Sequence, residues 1–263
     1  MPDAALHPDR ADWPEMEAAW GLFLDFDGTL VDIAERPEAV AVEPGLADAL
    51  ASLRDRLGGA LAVVSGRPIA AIDALLAPHR FDAAGVHGVE HRLAGRLSPC
   101  RSDRYPDLRR TVAALHAWFR SEPAVLIEYK DCSVAVHWRM APHMGDLVSR
   151  VVSEAAAALG PGYRLQRGKA VIEILPADAA KSRVIEELLR HPPYRGRRPI
   201  FIGDDLTDEP AFETVNAVGG VSVRVGPGPT RASRRLPDPA ALRELLRRWS
   251  AGAGISCDQL APV

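Results

Sequence analysis

The chain reads as an α/β protein, a doubly wound, Rossmann-like parallel sheet that carries an inserted α+β cap. Three observations predict this. Gly21-Leu22-Phe23-Leu24 and Leu61-Ala62-Val63-Val64 are short continuous apolar runs without alternation, so both faces of each strand are buried, as in a parallel sheet. Helical stripes alternate with such runs at both ends of the chain. Between residues 101 and 176 the rhythm changes to helix, two strands, helix, two strands, an α+β unit set inside the alternating pattern. The expected core is therefore 1–100 with 177–263, and the expected cap is 101–176.

Taken in order, residues 1–19 are polar and irregular, read as a loose arm or a short helix. The first strand ends at Asp25. Leu46, Leu50, Leu53 and Leu57 follow at helical spacing until Gly58-Gly59 stops the helix. The second strand ends at Ser65-Gly66-Arg67-Pro68, Ile69, Ile72 and Leu76 mark the next helix, and 83–86 is a third, weaker strand. In the insert, Leu108, Val112, Leu115 and Phe119 form an amphipathic stripe, followed by strands at 125–129 and 133–138. Val148, Val151, Val152, Ala155 and Leu159 make a second helix, and 163–166 with 170–175 reads as a hairpin across Arg167-Gly168-Lys169. The alternating pattern resumes with a helix at 181–190, a strand at 199–202, an acidic loop at 203–209, a strand at 221–225 and a final helix near 242–249.

Composition narrows the function classes. The 263 residues are 47% hydrophobic and 25% charged, an ordinary globular balance. A net charge of −3 supplies no global basic field for nucleic acid, so an anionic ligand must meet local positive charge. No apolar run approaches the roughly 20 residues of a membrane helix. The early acids Asp3, Asp9 and Asp12 do not fit a basic-then-apolar leader. Cys100, Cys132 and Cys257 are odd in number and widely spaced, with no CxxC pair and no disulfide framework; reduced thiols and a cytoplasmic location are expected.

Two acidic constellations sit at strand ends, where ligands bind in open α/β sheets. Asp25-Phe26-Asp27-Gly28-Thr29 follows the first strand, and Gly28 permits a turn that brings both carboxylates to one site. Such a pair supplies a nucleophile and an acid for a leaving alkoxide; the alternative is a solvated surface turn. Gly203-Asp204-Asp205-Leu206-Thr207-Asp208-Glu209 places four acids in six residues after a buried strand. They repel unless a cation sits among them, and hard oxygen ligands without His or Cys favour Mg²⁺. Asp204 is read as a metal ligand with Asp205 and Asp208 steadying it, and the segment also suits a helix N-terminus capped by Thr207. Ser65, Gly66 and Arg67 are read as phosphate contacts, with a plain turn as the alternative. Lys181, which opens the helix after the insert, neutralises nucleophile and phosphate if buried, and is otherwise a surface charge.

These four segments, in this order, resemble the haloacid dehalogenase superfamily across about residues 20–250. The resemblance implies that Asp25 is the nucleophile and Asp27 the acid and base, with Ser65 and Lys181 in the second and third motifs. It also implies that Mg²⁺ is held by Asp25, the Asp27 main-chain carbonyl and Asp204, and that the insert is a type 2 cap. A narrower likeness is to the trehalose-6-phosphate phosphatase family, on residues 203–209, on Gly85-Val86-His87-Gly88-Val89-Glu90, on Glu128-Tyr129-Lys130 through His137-Trp138-Arg139, and on Gly168-Lys169-x-x-x-Glu173. It implies a sugar phosphate substrate, with Glu128, Lys169 and Glu173 on the distal glucose hydroxyls and His87, Glu90 and Lys130 also at the substrate. Their bland alternatives are a charged hairpin tip for Arg167 and Lys169, a solvent-facing strand position for Glu173, and core or surface histidines for His87 and His137. Ser182 stands where that family usually has Gly, and would be strained if the backbone there took positive φ. A monomer is expected, with association with a synthase left open. Two other functions stand beside this one: a capped phosphatase for sucrose phosphate or mannosylglycerate phosphate, and a binding module that keeps the fold without turnover.

Overall fold

The computed structural model describes residues 19–253 and 260–263. The expectations for residues 1–18 and for Cys257 lie outside the described residues. The strands are, in chain order, β1 (Trp20–Leu24), β2 (Leu61–Val64), β3 (Asp82–Gly85), β4 (Glu90–Leu93), β5 (Arg96–Ser98), β6 (Leu126–Tyr129), β7 (Val134–His137), β8 (Tyr163–Gly168), β9 (Val171–Pro176), β10 (Arg198–Gly203), β11 (Val221–Val225), β12 (Arg234–Leu236) and β13 (Ala261–Pro262). The helices are α1 (Leu46–Arg56), α2 (Ile69–Leu75), α3 (Pro106–Trp118), α4 (Gly145–Leu159), α5 (Lys181–Leu189), α6 (Glu209–Ala217) and α7 (Pro239–Ser250).

Nine strands form one sheet in the order β13-β12-β11-β10-β1-β2-β3-β4-β5, and four form a second in the order β6-β7-β9-β8. From β12 to β3 every pairing in the large sheet is parallel. Every residue of β1 and β2 is buried, as their unbroken apolar runs require, because helices cover both faces. β10, β1 and β2 are adjacent, so the loops that follow Gly203, Leu24 and Val64 emerge side by side. Three motifs 40 to 180 residues apart in sequence thus meet at one edge of one sheet.

The sheet extends beyond the sequence expectation at both ends. β4 and β5 add antiparallel strands on one side, and β12 with β13 on the other. These are segments of two to four residues, β4, β5 and β12 containing Arg, and they carry no apolar run to reveal them. The hairpin of the insert also differs in detail. Gly168 pairs with Val171, so its turn is Lys169-Ala170, and Arg167 and Gly168 belong to the strand. Ala170 takes φ 60°, which lets two residues reverse the chain.

The insert builds its own sheet, antiparallel throughout. Leu108 and Leu115 of α3 and Val148, Val151 and Val152 of α4 pack with Val134, Val136, Ile172 and Ile174 in one apolar cluster, separate from the cluster around the large sheet. Each such fully buried aliphatic side chain contributes roughly 1.5–3 kcal/mol relative to exposure. Alternation then determines the opposite face: if Val134, Val136, Ile172 and Ile174 point to the helices, Ala135, His137, Val171 and Glu173 point away. Those residues face the strand ends of the large sheet.

Cys100 and Cys132 form a disulfide with Cα atoms 6.1 Å apart, which overturns the expectation of reduced thiols for these two. The separation suits a disulfide. Spacing along the chain did not disclose it because the insert folds back, setting the β6–β7 loop beside the segment that leads out of β5. Among the described residues no helix is long and apolar enough to cross a membrane.

Candidate active site

Asp25 follows β1 directly and is buried. Its backbone N–H donates to the Ile202 carbonyl of β10, which pins it between neighbouring strands. Gly28 turns the chain back with φ 77°, and a Cβ there would collide with the Asp204 carboxylate. Only glycine allows the first and fourth motifs to approach this closely. Oxygens of Asp25, Asp204 and Asp208 all lie within 4.8 Å of one another. The hydroxyl of Thr29, fully buried, donates to Asp204 Oδ1 at 3.4 Å.

Lys181 begins α5 and is likewise buried. Its Nζ donates to Asp25 Oδ1 at 2.6 Å and to Asp208 Oδ1 at 2.7 Å. The other oxygen of Asp208 accepts the backbone N–H groups of Asp204 and Asp205, each at 3.0 Å. Asp208 is therefore filled by donors on both oxygens and holds the fourth-motif loop and Lys181 in place. Asp205 accepts from the Leu206 N–H and caps the short helical turn 206–208. Ser182 lies within α5 and is not at positive φ, so the departure from glycine brings no backbone strain.

The electrostatics of this cluster are unbalanced. Burial and the Asp208 charge raise the Asp25 pKa well above the ordinary carboxylate range, outweighing the Lys181 ammonium. Burial, with Asp208 again, pushes Asp204 up to about 7. Lys181 is held firmly protonated: burial opposes its charge, but Asp208 and Asp25 more than compensate. One ammonium among three carboxylates leaves excess negative charge, which a divalent cation on oxygen ligands relieves. The donor set thus fits a hard cation.

Ser65 follows β2, buried, and its Oγ accepts the Arg67 N–H at 3.1 Å. A Cβ on Gly66 would lie 2.7 Å from His87 Nε2, so the loop passes tightly under that ring. Arg67 forks onto Asp27, Nε to Oδ2 and Nη2 to Oδ1, both at 2.7 Å. The expectation of a phosphate contact from Arg67 meets a guanidinium already occupied by the acid.

Across the cleft, the outward face of the small sheet carries a chain of alternating charge. His137 Nε2 lies 3.1 Å from Glu128, and Lys130 Nζ is 3.7 Å from Glu128 and 3.3 Å from Glu173. Glu173 also accepts from Ser133 Oγ at 2.6 Å and meets His87 Nε2 at 3.2 Å. Burial opposes the charge on Glu173, but Lys130, His87 and the Ser133 bond hold its carboxyl far below the usual range. Lys130 Nζ reaches the Gly66 carbonyl as well, at 3.1 Å. The cleft, about 200 Å³, is lined by Asp25, Asp27, Ser65, Lys181 and Thr207 on one side and by Glu128, Lys130, His137 and Glu173 on the other.

Two expected substrate residues are not among those that line this cleft. Glu90 Oε1 accepts the Ile69 N–H at 2.6 Å and so holds the start of α2. Lys169 is exposed on the β8–β9 turn. Sequence reasoning passed over Thr29, Ser133 and the wall at Ile33, Arg36, Pro37 and Val40. Thr29 lay within a quoted motif; the wall residues carry no signal until the 32–40 loop is seen against the small sheet.

A mostly parallel sheet with an acidic cluster at its strand ends and an inserted antiparallel sheet above it defines a capped haloacid dehalogenase-type fold. A haloacid dehalogenase-like hydrolase from Bacteroides thetaiotaomicron superposes with a TM-score of 0.59 over 87% of this chain and 99% of that one, at 16% identity, a likeness of fold. The family model described as trehalose-phosphatase matches residues 23–240, and the chain belongs to that family. A protein of Sinorhizobium fredii (strain NBRC 101917 / NGR234) named probable trehalose-phosphate phosphatase is 45% identical over 231 residues, 86% of each chain. A crystal structure of a trehalose-6-phosphate phosphatase related protein superposes with a TM-score of 0.76 at 28% identity, over 88% of this chain and 96% of that one.

Proposed function

We propose that the protein hydrolyses trehalose 6-phosphate to trehalose and phosphate through an aspartyl-phosphate on Asp25. The observation that carries this reading is the buried Asp25–Lys181–Asp208 constellation, with Asp204 beside it, under a polar sheet face that presents Glu128, Lys130 and Glu173. The charge set suits a phosphate, and the sheet face suits hydroxyls: carboxylates accept from vicinal OH groups while an ammonium donates. The S. fredii relative bears the name of this activity.

In the first step Asp25 forms a bond to phosphorus as the bond from phosphorus to the sugar oxygen breaks, and Asp27 gives that oxygen its proton. In the second step Asp27 takes a proton from water, whose oxygen attacks phosphorus and releases Asp25. Lys181 offsets the charge of Asp25 and of the phosphoryl oxygens, and Ser65 with the adjacent backbone N–H groups holds an oxygen. Mg²⁺, held by Asp25, Asp204 and the Asp27 main-chain carbonyl, supplies the remaining positive charge when bound. The division into a core (1–100 and 177–263) and a cap (101–176) belongs to the same reading, the cap closing over the sugar and excluding water.

The test is phosphate release from trehalose 6-phosphate, sucrose phosphate, mannosylglycerate phosphate and glucose 6-phosphate, each with Mg²⁺ and with EDTA. Preference for trehalose 6-phosphate, lost in EDTA, is expected. A preference for another sugar phosphate replaces the substrate, and no release from any of them replaces the enzyme with a binding module.

A further inference from the structure

Asp27, to which the mechanism gives the proton, is held by a residue that the mechanism does not use. Arg67 makes four side-chain hydrogen bonds: two to Asp27 at 2.7 Å and two, from Nη1 and Nη2, to the Pro37 carbonyl at 3.1 Å. A guanidinium has five N–H donors, so four are committed before any phosphate arrives. The side chain of Arg67 is 12% exposed, its guanidinium lies 5.8 Å from the Phe26 ring centroid, and its own N–H is held by Ser65. Both faces of its hydrogen-bonding fork are thus engaged by neighbours.

This arrangement has two consequences. A fork–fork pair restrains the plane of a carboxylate as well as its distance, which a single point charge does not. It occupies two of about four lone-pair positions and leaves the others of Asp27 toward the cleft that it lines. The second anchor, Pro37, belongs to the wall formed by Ile33, Arg36 and Val40, which faces His137 and Glu128 across the cleft. One side chain therefore joins the acid to a wall of the cleft.

We propose that Arg67 is a positioning residue for proton transfer, fixing the Asp27 carboxyl group against the leaving oxygen and tying its position to the sugar-side wall through Pro37. The inference rests on the alkyl-phosphate reading above. It does not give Arg67 a contact with the phosphoryl group.

Leaving groups separate the two roles. A sugar alkoxide departs only with a proton, whereas p-nitrophenolate departs without one. With enzyme in excess and Mg²⁺ present, release of the leaving group in a single turnover reports formation of the aspartyl-phosphate alone. For Arg67→Gln, trehalose release from trehalose 6-phosphate is expected to slow by about 30-fold or more, a loss of part of the roughly 10²–10⁴ that general acids supply. Nitrophenolate release from p-nitrophenyl phosphate is expected to change by less than about threefold, because that step needs no acid. Arg67→Lys, which keeps charge but not the fork, should fall between wild type and Arg67→Gln with the sugar ester alone. Equal slowing with both esters would show a phosphate-holding or general structural role and overturn the proposal, as would no slowing with either. If Arg67→Gln fails to fold by circular dichroism, the same comparison on Arg67→Lys decides. If wild type cleaves a different sugar phosphate, the substrate reading fails and the comparison runs on that ester; if it cleaves no alkyl phosphate, both fall.

Discussion

The Lys130 ammonium, in the loop between β6 and β7 of the small antiparallel sheet, donates to the Gly66 carbonyl in the loop after β2 at 3.1 Å. This contact joins the polar face of the small sheet, to which the proposed function gives the sugar, to the loop to which it gives the phosphate. The Lys130 side chain is only 8% exposed and lies against Glu173 and Glu128, whose charges keep it protonated although desolvation opposes it. Replacing it with Met removes one hydrogen bond between the two sheets and leaves Glu173 without its ammonium.

Lys130→Met is therefore expected to act on both kinetic constants. Loss of a hydrogen bond from a charged group costs about 1.5–3 kcal/mol, so KM for trehalose 6-phosphate should rise by about tenfold or more. Because Gly66 is also released, kcat should fall, which a residue confined to sugar binding would not produce. Initial rates over a range of substrate concentration measure both. An unchanged kcat would detach Lys130 from the phosphate loop.

Lys181 bridges Asp25 and Asp208 in a site where all three side chains are nearly inaccessible. Removing one partner of a buried ion pair typically costs 3–5 kcal/mol, because a charge is stranded. Lys181→Met should lose that order of stability in urea unfolding, and turnover should fall by at least about a thousandfold as nucleophile and phosphate lose their shared counter-charge. The double variant Lys181→Met with Asp208→Asn should recover part of the stability and none of the activity.

Binding of Mg²⁺ to the folded protein alone must stabilise it by mass action, about 2.7 kcal/mol at a hundredfold excess over Kd. Thermal melts with Mg²⁺ should therefore run higher than melts with EDTA. Asp204→Asn should keep the fold but lose most of this rise, because its carboxylate is one of the three that meet. A full Mg²⁺ effect in Asp204→Asn would move the ion away from this loop.

Glu173 gives stability a defined pH dependence. Its folded pKa is depressed from the ordinary 4.5, chiefly because Lys130 and His87 outweigh the effect of burial. A depressed carboxyl binds fewer protons in the folded state than in the unfolded chain. Its contribution is complete above the unfolded value and is lost as the pH falls below it toward the folded one. Glu173→Gln should lower Tm at neutral pH, and the gap to wild type should narrow steadily on acidification below about pH 4.5. A gap independent of pH would mean that the carboxylate charge contributes nothing.

The strands that carry Asp25, Ser65 and Asp204 were legible because each acidic or hydroxyl motif closes an unbroken apolar run, a pattern visible within ten residues. Lys181 was legible from its place at the return of the alternating pattern. What stayed hidden depends on placement across the chain. The Arg67–Asp27 fork spans 40 positions and the Glu90 bond to Ile69 spans 21, and nothing local separates these residues from a phosphate ligand or a sugar ligand. β4, β5, β12 and β13 were missed because strands this short, at or next to the sheet's edges, bury too little to leave an apolar signature. Glu173 was ambiguous in sequence since alternation shows only that it faces away from α4; the opposing face is water or the active site depending on how the insert sits.

The Cys100–Cys132 disulfide closes 32 positions and joins the segment after β5 to the loop that carries Lys130 and precedes Ser133. In the chain-entropy account, closing a loop of this size restricts the unfolded ensemble by about 3–4 kcal/mol. Cys132→Ser, or incubation with dithiothreitol, should lower the unfolding free energy measured in urea by an amount of that order, and non-reducing peptide mapping should recover the 100–132 cross-link from untreated protein. The consequence for activity follows from position. Cys132 is two residues from the ammonium that touches Gly66 and one from the hydroxyl that donates to Glu173. Loosening this loop should therefore raise KM for the sugar phosphate more than it lowers the rate on p-nitrophenyl phosphate, whose small ring does not need the sugar-reading face. Equal losses on the two esters would place the effect of the cross-link in overall stability and remove the loop from recognition.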